Sequence, residues 1–172
     1  MEDVRQQFRS AMAHYPSGVV IVTTIDSAGS PQGFTATSFS SLSMEPPSVL
    51  VCLANSAFCY EAFVTSRHFA INFVDAGQDA LALRFASRGA DKFGGVAMRR
   101  TASGAPVLEA AAAYLECESD GHFLSGDHAI LIGNVLAAGV ESERDVLVHY
   151  QRRFGRVQFP SEQAQAQERR VG

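Results

Sequence analysis

The spacing of apolar positions changes several times along the chain, and each change marks an element. Phe8, Met12 and Tyr15 recur at helical spacing, which predicts a helix of about 12 residues that Pro16-Ser17-Gly18 ends and that caps a sheet. From Gly18 to Ile25 the run is β-branched and almost continuously apolar, as in a buried strand. Asp26 to Pro31 is turn chemistry, so the next stretch returns as the second arm of a hairpin. Pro46 and Pro47 introduce a third strand over 48–53. Asn55-Ser56 then caps an expected helix from about Ala57 to Ser66, with Phe58, Ala62 and Phe63 on its inner face. Residues 68–74 read as a fourth strand, and Gln78 to Ser87 as a helix carrying Leu81 and Phe85 inward.

The second half is looser. Arg88 to Pro106 is rich in Gly, Ala, Arg and Ser around Asp91-Lys92-Phe93, which predicts a long irregular connection of the kind that often carries function. Residues 114–120 alternate with period two, as a strand with one wet face does. Gly126-Asp127-His128 opens an apolar run to Val135 that pairs antiparallel with it. Short strands at 146–150 and 154–159 follow, and 161–172 is polar, Gln-rich and expected to be a disordered tail. Roughly six or seven mostly antiparallel strands with flanking helices predict one mainly β domain over 1–160, a closed or split barrel rather than a doubly wound sheet.

One stretch does not fit an ordinary core strand. Between Gly33 and Ser43 more than half the residues are Ser or Thr, and the large apolar side chains are only Phe34, Phe39 and Leu42. Short side chains let the backbone approach a ligand, and consecutive N–H groups in a bent strand suit a phosphate or a carbonyl-rich ring. A Ser/Thr-rich edge strand with no ligand is the alternative reading. The start of the helix expected after Asn55-Ser56 would face the same place, with free N–H groups for an anion.

Composition narrows the chemistry. A formal net charge of −4 offers no electrostatic footprint for nucleic acid or an anionic membrane. Lys92 is the only lysine among 14 basic residues, so phosphate recognition falls mainly to arginines, N–H groups and hydroxyls. Cys52, Cys59 and Cys117 include no C-x-x-C pair and read as buried free thiols. The five histidines have no metal-ligand spacing, and no metal site is expected. With no apolar run near the ~18 residues of a membrane span and no signal-like start, a cytoplasmic protein is expected. No G-x-G-x-x-G or P-loop motif occurs, which removes a Rossmann or P-loop reading.

Five segments in order and register, PSGVVIVTT at 16–24, GFTATSF at 33–39, EPPSVLVC at 45–52, RFA at 84–86 with DKFGGV at 91–96, and GDH at 126–128, resemble the flavin reductase family over roughly residues 8–158. The resemblance implies an FMN-binding split β-barrel and a homodimer. It also implies hydride transfer from NADH or NADPH to FMN or FAD, with the reduced flavin supplied to a partner monooxygenase. Position by position, it puts the flavin against Thr35, Ala36, Thr37 and Ser38, with Ser40 and Ser41 behind them. Leu53, Ala54, Asn55 and Ser56 would follow the ring edge, ribityl chain and phosphate. Lys92 would serve the phosphate and Phe93 the ring or its adenine extension, while His128 would stand by the nicotinamide as the catalytic residue. Residues 150–154 resemble a family segment Tyr-Arg-Gly-x-Tyr near the dinucleotide, implicating Tyr150 and Arg153, although Gln151 and Arg152 replace its Arg and Gly. Many relatives carry Asn where this chain has Thr37. A non-enzymatic flavin carrier, or a pyridoxamine-phosphate oxidase-like enzyme, on the same fold remains open.

Overall fold

The computed structural model describes residues 3–89, 91–141 and 143–159; the expected tail at 161–172 lies outside the described residues. In chain order the elements are α1 (Val4–Ala13), β1 (Ser17–Gly18), β2 (Val20–Ile25), β3 (Pro31–Ala36), β4 (Ser40–Met44), β5 (Pro47–Ala54), α2 (Tyr60–Thr65), β6 (His68–Val74) and α3 (Asp79–Ala86), followed by β7 (Met98–Arg100), β8 (Pro106–Leu108), β9 (Ala111–Ser125), β10 (His128–Val140), β11 (Leu147–Tyr150) and β12 (Arg153–Arg156).

Seven strands form one antiparallel sheet in the order β3-β2-β6-β9-β10-β5-β4. Among the described residues β3 and β4 remain its two edges, and no closed barrel forms. Register shifts between Leu131 and Gly133 and between Val135 and Ala137 bend the β9–β10 pair. Its curvature gathers side chains of β2, β3, β5, β6 and β10 into one core with Phe63 of α2. A smaller sheet, β1-β11-β12, and the β7–β8 pair flank it.

The apolar run of β2 is explained by burial on both faces. Val20 and Val22 point into the main core, while Val19 and Ile21 point into a second cluster with Ala82 and Phe85 of α3. Gly33 makes that second contact possible, because a Cβ there would lie 2.8 Å from the Phe85 ring. Asn72, wholly buried on β6, is satisfied: its amide donates to Ile21 O (2.9 Å) and Thr23 Oγ1 (3.0 Å), and its oxygen accepts from Leu108 N (2.8 Å).

Several elements differ from the sequence pattern. The expected strand at 114–120 is part of a fifteen-residue β9, and its partner β10 runs on to Val140. The loop after Arg88 contains β7, paired with β8. The helix expected from Ala57 begins only at Tyr60, with Cys59 at its N-cap, no side-chain cap and Phe58 pointing into solvent. Asn55 is engaged elsewhere, its N–H donating to Asp127 O and its amide to Gly126 O, so Asn55-Ser56 caps no helix. Nor does α1 cap the sheet: it buries no residue, and Phe8, Met12 and Tyr15 are exposed. All three cysteines are free. Burial, with the neighbouring Glu116 charge, pushes the Cys117 thiol up to about 12, whereas Cys52 is only half-buried.

Candidate functional site

The sheet leaves two unpaired strand edges facing each other. β3 has a partner only in β2, and β5 loses β4 beyond Leu50, so its upper part is paired only with β10. Ser38 bridges the gap: its Oγ accepts from Cys52 N (3.1 Å) and donates to Cys52 O (3.3 Å). Above this clasp lies a cleft of about 400 Å³ lined by residues 34–38, 52–54, 56–59 and 85–88, with Lys92 and His128 at its sides. Strand edges present backbone donors and acceptors, and here they stand between apolar walls.

The hydroxyl stretch is less free than its sequence suggests. Thr35 Oγ1 donates to Ala82 O of α3 (2.6 Å), so its proton is spent on tying β3 to that helix, and Ser38 is spent on the clasp. Thr37 is exposed in the cleft and has no hydrogen-bond partner among the described residues. Ser40 lines a neighbouring cavity of about 770 Å³ between α1, the start of β4 and the β11–β12 hairpin, and that cavity meets the cleft at Thr37 and Ser38. Ser41 lines neither space, nor does Asn55, whereas Leu53, Ala54 and Ser56 line the cleft.

Lys92 is neither a solvated lysine nor an unoccupied cation. Its ammonium donates to Gly33 O (3.0 Å) and Phe85 O (2.8 Å), closing the end of α3 onto β3. Burial holds its pKa below the ordinary lysine value, against the opposing pull of Cys59. Burial likewise pushes the Cys59 thiol up, against the charge of Lys92. Phe93 packs edge-on against Phe85, with ring centroids 4.9 Å apart, and does not line the cleft itself.

His128 is positioned by the β9–β10 turn. Gly126 takes φ +60 there, and the strand register sets His128 beside Ala54 of β5. Its Nδ1 lies 2.7 Å from Asp127 Oδ1. That hydrogen bond, with the histidine charge, holds the Asp127 carboxyl below the usual range, so the carboxylate accepts and Nδ1 donates. Nε2 is then an acceptor when the ring is neutral and a donor when it is protonated.

Tyr150 and Arg153 are not brought to the cleft. Tyr150 meets His14 edge-on at 6.5 Å, and Arg153 is exposed on β12. The turn between them, with Gln151 and Arg152 at positive φ, instead sends Arg152 to the 770 Å³ cavity. Sequence reasoning missed Arg88, Phe58 and Cys59, all of which line the cleft. Arg88 sits at the start of the irregular connection that composition had marked; nothing local distinguished the other two.

The pattern of the flavin reductase like domain matches residues 12–158. The chain is 46% identical over 146 residues, 85% of its length and 82% of the other's, to the actinorhodin polyketide dimerase of Streptomyces coelicolor. It is 34% identical over 150 residues, 87% of its length and 88% of the other's, to a flavin reductase of Pseudomonas putida. Two further relatives are longer, and this chain spans 56% and 42% of them. Among solved structures, the NADH:FAD oxidoreductase SgcE6 of Streptomyces globisporus, in complex with NAD and FAD fragments, has a TM-score of 0.83 at 34% identity, over 92% of this chain and 94% of that one.

Proposed function

This chain belongs to the flavin reductase like domain family, and from that premise we propose that it is an NAD(P)H:flavin oxidoreductase that reduces FMN or FAD for a partner monooxygenase. Relatives named as flavin reductases and as reductase subunits of flavin-dependent monooxygenases support both halves of the reading. The observation that carries it in this chain is the cleft between the two strand edges, with His128 at its rim. Its residues fit a flavin: backbone edges for a ring of alternating nitrogens and carbonyls, apolar walls for its faces, and Arg88 and Lys92 for a phosphate.

A bound flavin supplies the hydride-accepting chemistry, so the protein needs no nucleophile or metal of its own. Its work is to hold two rings in an aligned stack. The Ser38 clasp fixes the separation of β3 and β5, while Lys92 and Thr35 fix β3 against α3. His128, locked by Asp127, offers Nε2 to an amide N–H such as the carboxamide of a nicotinamide, which fixes the orientation of that ring. Leu53 and Ala54 of β5, with Ser56 after it, line the cleft beside His128. Tyr150 and Arg153 have no role in this reading, because they lie away from the cleft.

The same reading includes a split-barrel fold, a single domain over 1–160 and a homodimer. The curved antiparallel sheet and its strands drawn from both halves of the chain support the first two. The exposed apolar groups on α1, Leu42 and Met44 of the β4 edge, and Phe123 and Leu124 at the β9–β10 tip support the third. No helix among the described residues is long and apolar enough to cross a membrane. Three free cysteines and a nicotinamide donor support a cytoplasmic setting.

The test is His128→Ala. Flavin Kd should stay within about threefold, below ~0.7 kcal/mol. At limiting NADH and saturating flavin, kcat/KM should fall about 10- to 100-fold, or roughly 1.4 to 2.7 kcal/mol. Wild-type turnover by the variant would remove His128 from the site. Failure of the wild-type chain to speed NADH oxidation with either flavin would leave the carrier alternative standing.

A further inference from the structure

The cavity of about 770 Å³ between α1 and the β11–β12 hairpin has no part in the reductase reading, and its lining is unlike the rest of the chain. Acidic residues outnumber lysines and arginines in the sequence, 18 to 14, yet Arg9, Arg152 and His149 line this space and no acidic residue among the described residues does. Neither guanidinium has an ion-pair or hydrogen-bond partner among the described residues, where the ion pairs are Arg67 with Glu118 and His128 with Asp127. Aromatic side chains surround these groups: Phe8 of α1, Tyr15 just after it, and Phe39, which is held edge-on by Phe73 at 5.2 Å between centroids. The walls are tied to each other, because Gln151 N donates to Ala13 O (2.8 Å) and Tyr150 meets His14 edge-on.

Arg152 is there against the preference of its own backbone. A two-residue hairpin turn takes positive φ at both central positions, a conformation that glycine and asparagine adopt readily and that strains a longer side chain. Gln151 at φ 48 and Arg152 at φ 59 occupy those positions. Arg152 stands where the segment Tyr-Arg-Gly-x-Tyr, which residues 150–154 resemble, has its glycine. A turn that glycine would relax thus keeps an arginine, and that arginine lines the cavity. Strain retained at a side chain with no partner inside the protein points to a partner from outside.

The volume lies within the range of about 300 to 1,000 Å³ usual for small-molecule sites. Aromatic walls suit a flat ring, and a guanidinium fork takes both oxygens of a carboxylate. We propose that the cavity binds an aromatic carboxylate, a small molecule distinct from flavin and nicotinamide, held through Arg152 with Arg9. Its occupancy alters flavin binding, because cavity and cleft share Thr37 and Ser38, and Ser38 is the clasp between β3 and β5. The change is equal in both directions, flavin on carboxylate and carboxylate on flavin. The site itself goes beyond the flavin reductase reading, and only its coupling to the cleft rests on that reading.

The probe is cinnamate, with cinnamyl alcohol as its uncharged counterpart, titrated calorimetrically into the purified full chain. Cinnamate should bind about tenfold or more tightly than the alcohol. Arg152→Gly, which relaxes the turn, should weaken cinnamate by about tenfold or more and leave the alcohol within about twofold. Arg152→Lys, which keeps the charge and loses the fork, should fall between wild type and Arg152→Gly. Saturating cinnamate should shift the FMN Kd of the wild type by about threefold or more, followed by flavin fluorescence. Equal affinity for acid and alcohol, or a cinnamate affinity unmoved by Arg152→Gly, would overturn the site, and an unmoved FMN Kd would overturn its coupling. Displacement of cinnamate by NAD+, together with a raised KM for NADH in Arg152→Gly, would assign the cavity to the dinucleotide and overturn the proposal. Failure of the wild-type chain to reduce flavin would remove the reductase reading and leave the cinnamate titrations to decide the site.

Discussion

Helices α1 and α3 carry similar apolar patterns and meet different fates. α1 is the longer, at ten residues against eight, and the better capped: Asp3 accepts from Arg5 N at 3.2 Å, whereas α3 has no side-chain cap. Yet Phe85 of α3 is wholly buried and Phe8 of α1 is 64% exposed. Capping and spacing decide that a helix forms. They do not decide where it docks, and the receiving surface does. The sheet receives α3 through the missing side chain of Gly33, the Thr35 hydroxyl and the Lys92 ammonium. α1 meets no comparable surface; it is joined to the β11–β12 hairpin by Gln151 N donating to Ala13 O. One helix completes the core, and the other leaves its apolar stripe exposed.

The comparison is sharpest at Phe85. Phe85→Ala should cost about 3 to 5 kcal/mol in denaturant unfolding, because the site is fully packed and Val19, Ile21 and Phe93 cannot collapse into the space. A loss below about 1 kcal/mol would mean that α3 is no better anchored than α1. Lys92→Met should come next. It leaves the carbonyls of Gly33 and Phe85 short of a donor in a half-buried place, costing about 1 to 3 kcal/mol. Flavin affinity should fall with it as β3 loosens; unchanged stability and affinity would show the clamp to be idle. The smallest effect on the protomer belongs to α1. Phe8→Ser with Met12→Ser should change intrinsic stability by less than about 0.5 kcal/mol. Solution mass should drop to the 18.5 kDa of one chain, with an unfolding midpoint that no longer depends on concentration. A stability loss equal to that of Phe85→Ala at every concentration would put α1 in the protomer core after all.

The sequence pattern was most legible where burial is decided locally. β2 and β6 were bounded almost as observed, because β-branched runs between turn residues have few alternatives. α3 was read with its inner face, and the cleft was located from the Gly33–Ser43 stretch and the Lys92 loop. It failed where two segments compete for the same groups. Asn55-Ser56 has good capping chemistry, but the β9–β10 turn takes both the N–H and the amide of Asn55, and α2 starts later. Thr35 and Ser38 look like ligand hydroxyls, and each also has a backbone partner that the sequence does not reveal, Ala82 and Cys52. Tyr150 and Arg153 sit in a segment that resembles a nucleotide-binding one, but the hairpin turns them away from the cleft.

By itself the sequence determined most of the strands and helices and their apolar faces, because these follow from spacing, turn chemistry and residue type within a few positions. Tertiary structure alone decided which hydroxyls are free, that Lys92 is shared between α3 and β3, that Arg88 and Phe58 border the cleft, and that α1 is left uncovered. Each of those depends on which groups meet across tens of residues, and a hydrogen-bond donor satisfied by a distant carbonyl looks the same in the sequence as one waiting for a ligand.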